Sequence, residues 1–401
     1  SRALGPFPTD DPNPETGALH LHLNTGKRSI VGSVGDELVD CLIAGADIVL
    51  QSFADLDPDT IEDTHPGLVL VTITSFGLTG SYNWDYTAAD DKINRLYQLA
   101  KKRQWDVEID LDWSQEWDLN KATLEEDFSI NHQSYLDYKP YLDLSDEMKL
   151  HAQKRFAVWT LSQFLHGEQG ALLVASQLCS CAPTYNGKLY AATQTYDEAR
   201  HVEAFNKYLQ QRLKRSWPIG RALKGLLDKI LTDPRWDLKF IGMQVVIEGL
   251  ALAAFNAAKE GTNDPVYKQM LEYIIRDEAR HVTFGINYLK DYVTTLSEED
   301  VMDRAQFALE ACTVSRNRLR AYDVWEKYGM DLEYTDEYQK ENIFQTQFQD
   351  VLFSRIMPNL KKIGLLHDDL VPEYEKLGVM GYADGDSDYE TSWEELSKPL
   401  K

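Results

Sequence analysis

The feature that most constrains this chain is a pair of identical Glu-Ala-Arg-His tetrads, which run from Glu198 to His201 and from Glu278 to His281. In an α-helix, residues three apart project from the same face. Each tetrad therefore directs one carboxylate and one imidazole towards a single point. We interpret each tetrad as half of a binding site for a pair of metal ions.

A further glutamate lies thirty residues before each tetrad: Glu168 before Glu198, and Glu248 before Glu278. Both stand in apolar sequence that is otherwise typical of a buried core. A step of thirty residues fits an ascent along one helix, a short loop and a descent along its antiparallel neighbour, since a helix rises about 1.5 Å per residue. The spacing therefore predicts that each lone glutamate returns to the level of its tetrad.

Together these positions supply four carboxylates and two imidazoles, the ligand pattern of a di-iron or di-manganese four-helix bundle. Oxygen-rich ligation with one nitrogen per metal favours iron or manganese over zinc. The alternative, a set of helix-surface salt bridges, is disfavoured because two tetrads occur at matched spacings. We predict two iron ions, with manganese or a mixed iron and manganese pair as alternatives, at a catalytic site formed by Glu168, Glu198, His201, Glu248, Glu278 and His281.

Longer segments around these positions resemble a known family. The doubled Asp-Glu-Ala-Arg-His motif, with a glutamate next to a glycine upstream of each copy, resembles the ferritin-like di-iron oxygenases and oxidases, which include the bacterial multicomponent monooxygenase hydroxylases. The segments His166–Ala171, Tyr190–Gln194 and Tyr196–Glu203 resemble a bacterial ferritin-like family more closely. The resemblance extends from about Asp90 to about Asp369. It implies a mainly α fold, a ferritin-like four-helix bundle with extra carboxyl-terminal helices, and the use of dioxygen as a co-substrate.

The resemblance also implies roles for residues next to the ligands. Asp197 and Asp277, which precede the tetrads, would accept hydrogen bonds from the distal nitrogens of the ligand histidines and so fix their tautomers. Arg200 and Arg280 would offset part of the negative charge of the four glutamates. The alternative for these four residues is ordinary ion pairing on a helix surface.

Length, charge and cysteine content exclude several other classes of function. The chain has 401 residues, enough for two domains, and its net charge of -24 argues against binding to nucleic acid. We find no signal peptide at Ser1 and no apolar run that approaches the length of a membrane span. Four cysteines in so long a chain fit a reducing compartment. We therefore expect a cytoplasmic protein that binds neither nucleic acid nor membranes.

Residues 1–85 have a different pattern from the rest of the chain. Short β-branched runs occur at Ser29–Val31, Ile48–Ser52 and Leu68–Thr74, and a helical stretch occurs at Asp36–Ala44. Such alternation predicts a small α/β module with parallel strands.

The same region resembles a second family. Leu23–Ile30, Ala46–Phe53 and Ile73–Tyr82 are similar, in order and spacing, to the amino-terminal part of family III CoA-transferases. The chain leaves this pattern before the segment that carries the family's catalytic aspartate, so transferase activity is not expected. The resemblance implies a remnant CoA-binding surface, or a module that only packs against the bundle or a second subunit; its candidate CoA contacts are Asn24, Lys27 and Arg28.

These patterns predict four segments: a truncated CoA-transferase-like module at residues 1–85, a helical and Trp-rich arm at 86–145, the bundle at 146–330, and further helices with a mobile acidic tail at 331–401. In the arm, Trp105, Trp113 and Trp117 either line a path to the metals or clamp the arm onto the core. The four bundle helices are predicted at Asp146–Ser180, Asn186–Arg215, Asp237–Lys259 and Pro265–Thr294.

Three classes of function compete, because a reduced di-iron site reacts with dioxygen. The first is an oxygenase or oxidase of a small organic substrate, the second a ferroxidase that handles or stores iron, and the third a radical-generating subunit like that of ribonucleotide reductase. Phe205 stands where the third class would place a tyrosine, and the extra domain argues against iron storage. We predict the first class, with an acyl-CoA or a related acid as the candidate substrate.

The reaction type and the partners follow less directly from the sequence. Multicomponent monooxygenases carry a threonine where this chain has Leu252, so hydroxylation, N-oxygenation and two-electron oxidation all stay open. No flavin or nicotinamide fingerprint occurs, which predicts an external electron-donor protein. We also predict a homodimer.

Overall fold

The computed structural model describes residues 35–51, 58–72, 86, 91–117, 138–318, 321–341, 343–391 and 393–397. The chain divides into two compact units, Ser1–Gly80 and Ser81–Lys401. The first contains the α/β module and the second contains the helical bundle. The finer boundaries at residues 145 and 330 stay predictions.

In the first unit, two short strands pair in parallel, and the register aligns Ile48 with Val69. This confirms the predicted parallel arrangement. The predicted strand Ser29–Val31 and the candidate CoA contacts Asn24, Lys27 and Arg28 lie outside the described residues. The described elements of this unit are a helix at Glu37–Ala44, a strand at Ile48–Gln51, a helix at Pro58–Thr64 and a strand at Val69–Thr72.

The second unit is built on four long helices, which we call the first to fourth bundle helices. The chain is mainly helical and the bundle is ferritin-like, as predicted. The observed bounds are close to the predicted ones because the apolar stretches and the turn residues between them mark helices of this length. The four are Asp146–Cys181, Tyr185–Tyr208, Trp236–Glu260 and Pro265–Val293.

Side-chain caps fix where three of these helices begin. Ser145, Thr184 and Asp264 each accept a hydrogen bond from a backbone N–H in the first turn of the first, second and fourth bundle helices. Asp264 also accepts a hydrogen bond from the hydroxyl of Tyr208 (2.8 Å), which joins the start of the fourth helix to the end of the second. The caps therefore help to set the relative levels of residues on neighbouring helices.

Two bundle helices contain π-helical segments that the sequence pattern does not predict. The second bundle helix continues as a π-helix at Leu209–Leu213, and the third is π-helical at Ile241–Ile247. All seven residues of the latter segment are buried. Single π-helical turns often occur at functional sites, and this one ends directly before Glu248.

The third bundle helix corrects one expectation drawn from the sequence. Trp236–Glu260 spans 25 residues and is, by length and composition, apolar enough to cross a membrane. The expectation that no apolar run approaches this length was therefore wrong. However, 89% of its most apolar window is buried inside the protein, as in the core helix of a bundle.

The carboxyl-terminal residues form polar contacts with the rest of this unit. Asp388 is buried, accepts hydrogen bonds from Arg355 (2.5 Å) and Asn359 (2.8 Å), and so holds the described part of the tail against the preceding helix. The sequence did not predict these contacts, because acidity does not reveal a buried ionic partner; the mobility of the tail stays a prediction. Other helices of this unit are Asp91–Lys102, Lys139–Leu142, Arg221–Thr232, Glu298–Arg318, Tyr322–Trp325, Leu332–Glu341, Ile343–Lys362, Val371–Lys376 and Trp393–Leu396.

Candidate metal centre

The six predicted ligands converge in one buried cluster inside the bundle, each at most 4% exposed. Their ligand atoms form two groups, and within each group these atoms lie within 4.8 Å of one another. Glu198 and Glu278 belong to both groups, so they are placed to be shared between two metals. The first group adds Glu168 and His201, and the second adds Glu248 and His281.

Each histidine turns its Nδ1 atom towards the carboxylates. His201 Nδ1 lies 3.1 Å from Glu168 Oε2, 3.3 Å from Glu198 Oε2 and 3.2 Å from Glu278 Oε1. His281 Nδ1 lies 3.0 Å from Glu198 Oε1 and 3.5 Å from Glu278 Oε2. Nδ1 is therefore the atom that each imidazole offers to the centre of the cluster.

The opposite ring nitrogens contact aspartates in a crossed arrangement. His201 Nε2 lies 3.2 Å from Asp277 Oδ2, and His281 Nε2 lies 3.3 Å from Asp197 Oδ2. Each aspartate thus serves the histidine of the other tetrad. An Nε2–H that donates to a carboxylate leaves the Nδ1 lone pair free for a metal, in agreement with the role that the family resemblance implied.

Two arginines complete this network. Arg200 donates to Asp197 and to Asp277 Oδ2 (3.1 Å), and Arg280 donates to Asp277 and to Asp197 Oδ2 (3.4 Å). All four side chains are at most 4% exposed. The alternative of pairing on a helix surface is therefore wrong, and the guanidinium groups partly neutralise the buried carboxylates.

The sequence argument singled out Trp105 only as part of the arm and missed Gln104, yet both residues contact the histidine side of the cluster. The indole N–H of Trp105 donates to Asp277 Oδ2 (2.8 Å), and its ring stacks on that of His201 with centroids 6.4 Å apart. Gln104 donates to Asp197 Oδ1 (3.3 Å). Neither residue lies on a bundle helix, so no periodic spacing could have connected them to the site.

Another missed residue, Gln194, contacts the glutamates themselves. Its Nε2 donates to Glu248 Oε1 (2.8 Å) and more weakly to Glu198 Oε1 (3.4 Å). Gln194 lies four residues before Glu198, on the same face of the second bundle helix. That spacing is the signal that could have identified it.

The protonation of the cluster follows from burial and charge. Burial raises the pKa of Glu168 and of Glu248 well above the ordinary value, and the charge of Glu278 raises both further. Burial would also raise the pKa of Glu198, but the adjacent imidazoles, above all that of His281, hold it below its usual range. For His201, burial lowers the pKa, but the charge of Glu168 and the hydrogen bonds that the imidazole donates to neighbouring carboxylates raise it well above normal.

We therefore expect the metal-free protein to lose stability as the pH rises from about 6 to about 9. A histidine whose folded-state pKa is raised above about 6.5 stabilises the fold fully below that pH and ceases to do so as the pH rises through the folded-state value. The raised pKa values of Glu168 and Glu248 also lower the free energy of unfolding as the pH rises above about 4.3. Urea unfolding of chelator-treated protein across this range would measure the change.

Metal-loaded protein provides the control for this prediction, because metal binding displaces the same protons. Its unfolding midpoint should fall much less between about pH 6 and about pH 9. A metal-free protein that becomes more stable over this range would contradict the assignment of raised pKa values to the histidines and the two lone glutamates.

The glutamates also line a cavity of about 380 Å³. Glu168, Glu248 and Glu278 contribute its acidic wall, and apolar side chains form much of the remainder. Trp105, Trp113 and Trp117, all of them described, do not line it, which favours the interpretation that they clamp the arm. The apolar lining includes Leu161, Phe164, Ala251, Ala254 and Phe255.

The donor set fits two metal ions. Within the described part of the chain, Glu198 Oε2, Glu248 Oε2, Glu278 Oε2 and His281 Nδ1 are buried without a hydrogen-bond partner. Leaving such atoms unpaired costs free energy, and a metal ion at each group would satisfy them. Carboxylate oxygens with one imidazole per metal are ligands that suit iron or manganese.

One protein family and several solved structures are similar to this chain. The family model described as p-aminobenzoate N-oxygenase AurF matches residues 87–317, more than half of the chain and all six converging residues. Similar solved structures include two mutants of an R2-like ligand-binding oxidase with a Mn/Fe cofactor. One has 18% sequence identity and a TM-score of 0.42, covering 71% of this chain and 95% of that one. The other has 19% identity and a TM-score of 0.41, covering 70% and 94%.

Two further findings concern curated proteins and the first unit of the chain. No curated protein matches the chain. The match to the family model begins after the α/β module, and nothing supports the resemblance of residues 1–82 to CoA-transferases.

Proposed function

Because the chain belongs to the family whose model is described as p-aminobenzoate N-oxygenase AurF, we propose that it oxygenates the nitrogen atom of a small aromatic amine. The family and the buried cluster of glutamates and histidines make it a non-haem di-iron oxygenase or oxidase of a small organic substrate. The choice of an amine nitrogen as the reacting atom is our proposal.

The observation that carries the proposal is the cavity beside the glutamates. Its volume of about 380 Å³ lies near the lower end of the range of about 300–1,000 Å³ for ligand pockets. An apolar wall that includes Phe164 and Phe255 suits a single aromatic ring, and the acidic end suits a polar amino group pointing towards the metals. The cavity is small for a complete acyl-CoA, which disfavours that candidate substrate.

We assign the ligands from the geometry of the cluster. Glu198 and Glu278 would each contact both metals, whereas Glu168 and His201 would complete one coordination sphere. The other sphere would be completed by Glu248 and His281. When bound in the reduced state, two irons supply two electrons to dioxygen. Around them, Asp197 and Asp277 hold the Nε2–H protons of the histidines, and the apolar cavity walls exclude water from the substrate.

The proposed reaction also requires reductant. An amine, dioxygen, two electrons and two protons give a hydroxylamine and one water molecule, so one atom of dioxygen enters the substrate. Because the sequence shows no flavin or nicotinamide fingerprint, we propose an external electron-donor protein. Homodimer formation and a cytoplasmic location remain further parts of the proposal.

The ferroxidase alternative predicts a different outcome from the same experiment. Ferrous iron would be added to anaerobic apoprotein and the bound metal counted; about two ions per chain are expected from the ligand pattern. Oxygen would then be admitted with aromatic amines, the matching anilides, acyl-CoA compounds or no organic compound. Mass-spectrometric detection of a hydroxylamine or nitro product containing labelled oxygen would support N-oxygenation.

Other outcomes would overturn part or all of this proposal. Oxidation of added iron to a growing mineral, with no response to any organic compound, would favour the ferroxidase. Oxygen incorporation into an acyl group would retain the oxygenase and refute the amine substrate. Failure to bind iron would refute the metal centre itself.

Filling the cavity should separate substrate binding from metal binding. Ala251 lines the cavity on the helix that carries Glu248. In Ala251→Phe we expect turnover of the preferred substrate to fall at least about 10-fold, since misplacing a reacting group by about 1 Å can cost about 100-fold. Bound iron should stay at about two ions per chain, the stoichiometry of the ligand pattern.

The matched control for this variant is Ala199→Phe, because Ala199 lies in a tetrad but does not line the cavity. The proposal requires the two variants to differ in KM or product yield after each has been shown to bind iron. Equal loss of turnover without a change in KM would contradict the assignment of this cavity to the substrate.

A further inference from the structure

We propose that Gln194 fixes the carboxylate of Glu248 and thereby makes the two metal positions chemically different. This inference rests on the proposed metal centre. Gln194 is fully buried, and its amide nitrogen lies 2.8 Å from Glu248 Oε1. As a metal ligand the carboxylate is ionised and only accepts hydrogen bonds, so the amide presents its NH₂ group here.

The hydrogen bond distinguishes the two oxygens of Glu248. Oε1 is occupied by Gln194, whereas Oε2 has no hydrogen-bond partner within the described part of the chain. A metal can therefore take Oε2 while the amide restrains rotation of the carboxylate. Such restraint opposes a change from one-oxygen to two-oxygen coordination.

The side chain of Gln194 is itself held in place by a neighbouring amide and by close helix packing. Its Oε1 accepts a hydrogen bond from Gln244 Nε2 (3.4 Å), and Gln244 lies in the π-helical segment that precedes Glu248. A Cβ atom at Gly285 would lie 2.5 Å from Gln244 Cβ, closer than unbonded carbons approach. Glycine at this position therefore lets the fourth bundle helix pack against Gln244 and hold the amide pair in place.

The other half of the metal site has no equivalent pair of amide side chains. Gln194 lies four residues before a tetrad glutamate, and the equivalent residue before Glu278 is Ile274. Gln244 lies four residues before a lone glutamate, and the equivalent residue before Glu168 is Phe164, which lines the cavity. The two halves of the metal site look equivalent in the ligand spacing, but one half has two amide side chains at these positions and the other has two apolar side chains.

The consequence is a division of roles between the two lone glutamates. Glu248 keeps a fixed orientation, whereas the hydrogen-bonding contact of Glu168 is to His201 Nδ1 (3.1 Å), itself a proposed ligand. Once a metal takes Nδ1, Glu168 has no amide to restrain it. Glu168 is therefore the carboxylate that can change its coordination as substrate or dioxygen enters, and Gln194 is a positioning residue for the opposite metal.

The test uses Gln194→Met, which keeps the length of the side chain and removes its donor. Anaerobic titration of the apoprotein with ferrous iron should show that one of two ions binds about 10–100-fold more weakly, the usual effect of losing a partner of a ligand. The other ion should be affected much less, because Gln194 reaches the shared Glu198 only through a longer contact of 3.4 Å. Mössbauer spectra of the diferrous protein should show a clearly larger change in one iron environment than in the other.

Gln177→Met is the matched control, because Gln177 lies on the first bundle helix and donates to the backbone of Leu231. It should leave both iron environments unchanged. Ile274→Gln, which adds an amide at the equivalent position, should instead change mainly the iron environment that Gln194→Met affects less.

Equal weakening of both ions in Gln194→Met, or no weakening of either, would overturn the inference. Should this variant fail to fold, as judged by circular dichroism, Gln244→Met removes the support of Gln194 without altering a direct contact to a ligand and must then give the same unequal change at the two sites. A parent protein that binds no iron would refute the proposed metal centre, an outcome distinct from two bound irons that are insensitive to Gln194.

Discussion

Replacing Glu198 with alanine is expected to abolish the paired metal centre rather than to weaken one half of it. Glu198 belongs to both groups of converging ligands, whereas Glu168 and Glu248 each belong to one. Its removal therefore takes a ligand from both metals at once and leaves His281 Nδ1 without its nearest carboxylate, 3.0 Å away.

The expected loss of iron binding in Glu198→Ala can be estimated from the smaller effect of removing a hydrogen-bond partner of a metal ligand. Loss of a hydrogen-bond partner of a ligand costs about 10–100-fold in metal affinity or activity, and loss of a shared ligand should cost more at each position. We expect bound iron to fall below about one ion per chain, from about two for the ligand pattern, and oxygen-dependent turnover to become undetectable. Metal analysis after gel filtration and product detection by mass spectrometry would measure both.

Glu203→Ala provides the matched control, since Glu203 lies on the same helix and is exposed. It should retain full iron content and turnover. Glu248→Ala should lie between these extremes and retain one ion. Two ions bound by Glu198→Ala with parent affinity would contradict the shared role of this residue.

The second large effect is expected from Asp277→Ala, which should destabilise the fold as well as the metal site. Asp277 is 1% exposed and contacts Arg200, Arg280, His201 and Trp105. Burial would raise its pKa, but the charge of Arg280 and further contacts hold the pKa well below the ordinary value. The aspartate is therefore ionised, and its removal leaves two buried guanidinium groups with one shared carboxylate.

Removing one partner of a buried charge pair typically costs about 3–5 kcal/mol. We expect a loss of this size in the free energy of unfolding of Asp277→Ala, measured with urea at neutral pH on chelator-treated protein. Iron affinity should fall by about 10–100-fold because His201 loses the acceptor of its Nε2–H.

Asp228→Ala supplies the control, because Asp228 forms an exposed ion pair with Lys224. Exposed pairs contribute about 1 kcal/mol or less, so this variant should unfold near the parent midpoint. A fall in iron affinity without any loss of stability in Asp277→Ala would mean that Asp197 alone can neutralise both arginines.

Spacing along the chain was enough to predict the bundle and its convergent residues. Glu168, Glu198, Glu248 and Glu278 could be related because α-helical periodicity converts sequence separation into height along a helix. The prediction depended on charged residues within apolar helices, where burial without a partner is costly. The same reasoning explains why the predicted helix ends were close to those observed.

Contacts between distant segments could not be obtained in this way. Trp105 reaches Asp277 across 172 positions of the chain, and its own surroundings carry no helical period. The crossed pairing of Asp197 with His281 equally depends on how the second and fourth bundle helices face each other. Sequence spacing sets which residues share a helix face, but it does not set the rotation of one helix against another.

The sequence by itself therefore determined the fold class, the six converging residues and the chemistry of the donor set, because each follows from local periodicity and residue type. Only the tertiary structure decided which glutamates are placed to be shared, which aspartate contacts which histidine, and which residues line the cavity. It also distinguished two halves that look equivalent in sequence: packing of Gly285 against Gln244 places an amide beside Glu248. These features depend on how helices pack in three dimensions, where small differences in side-chain volume select one arrangement.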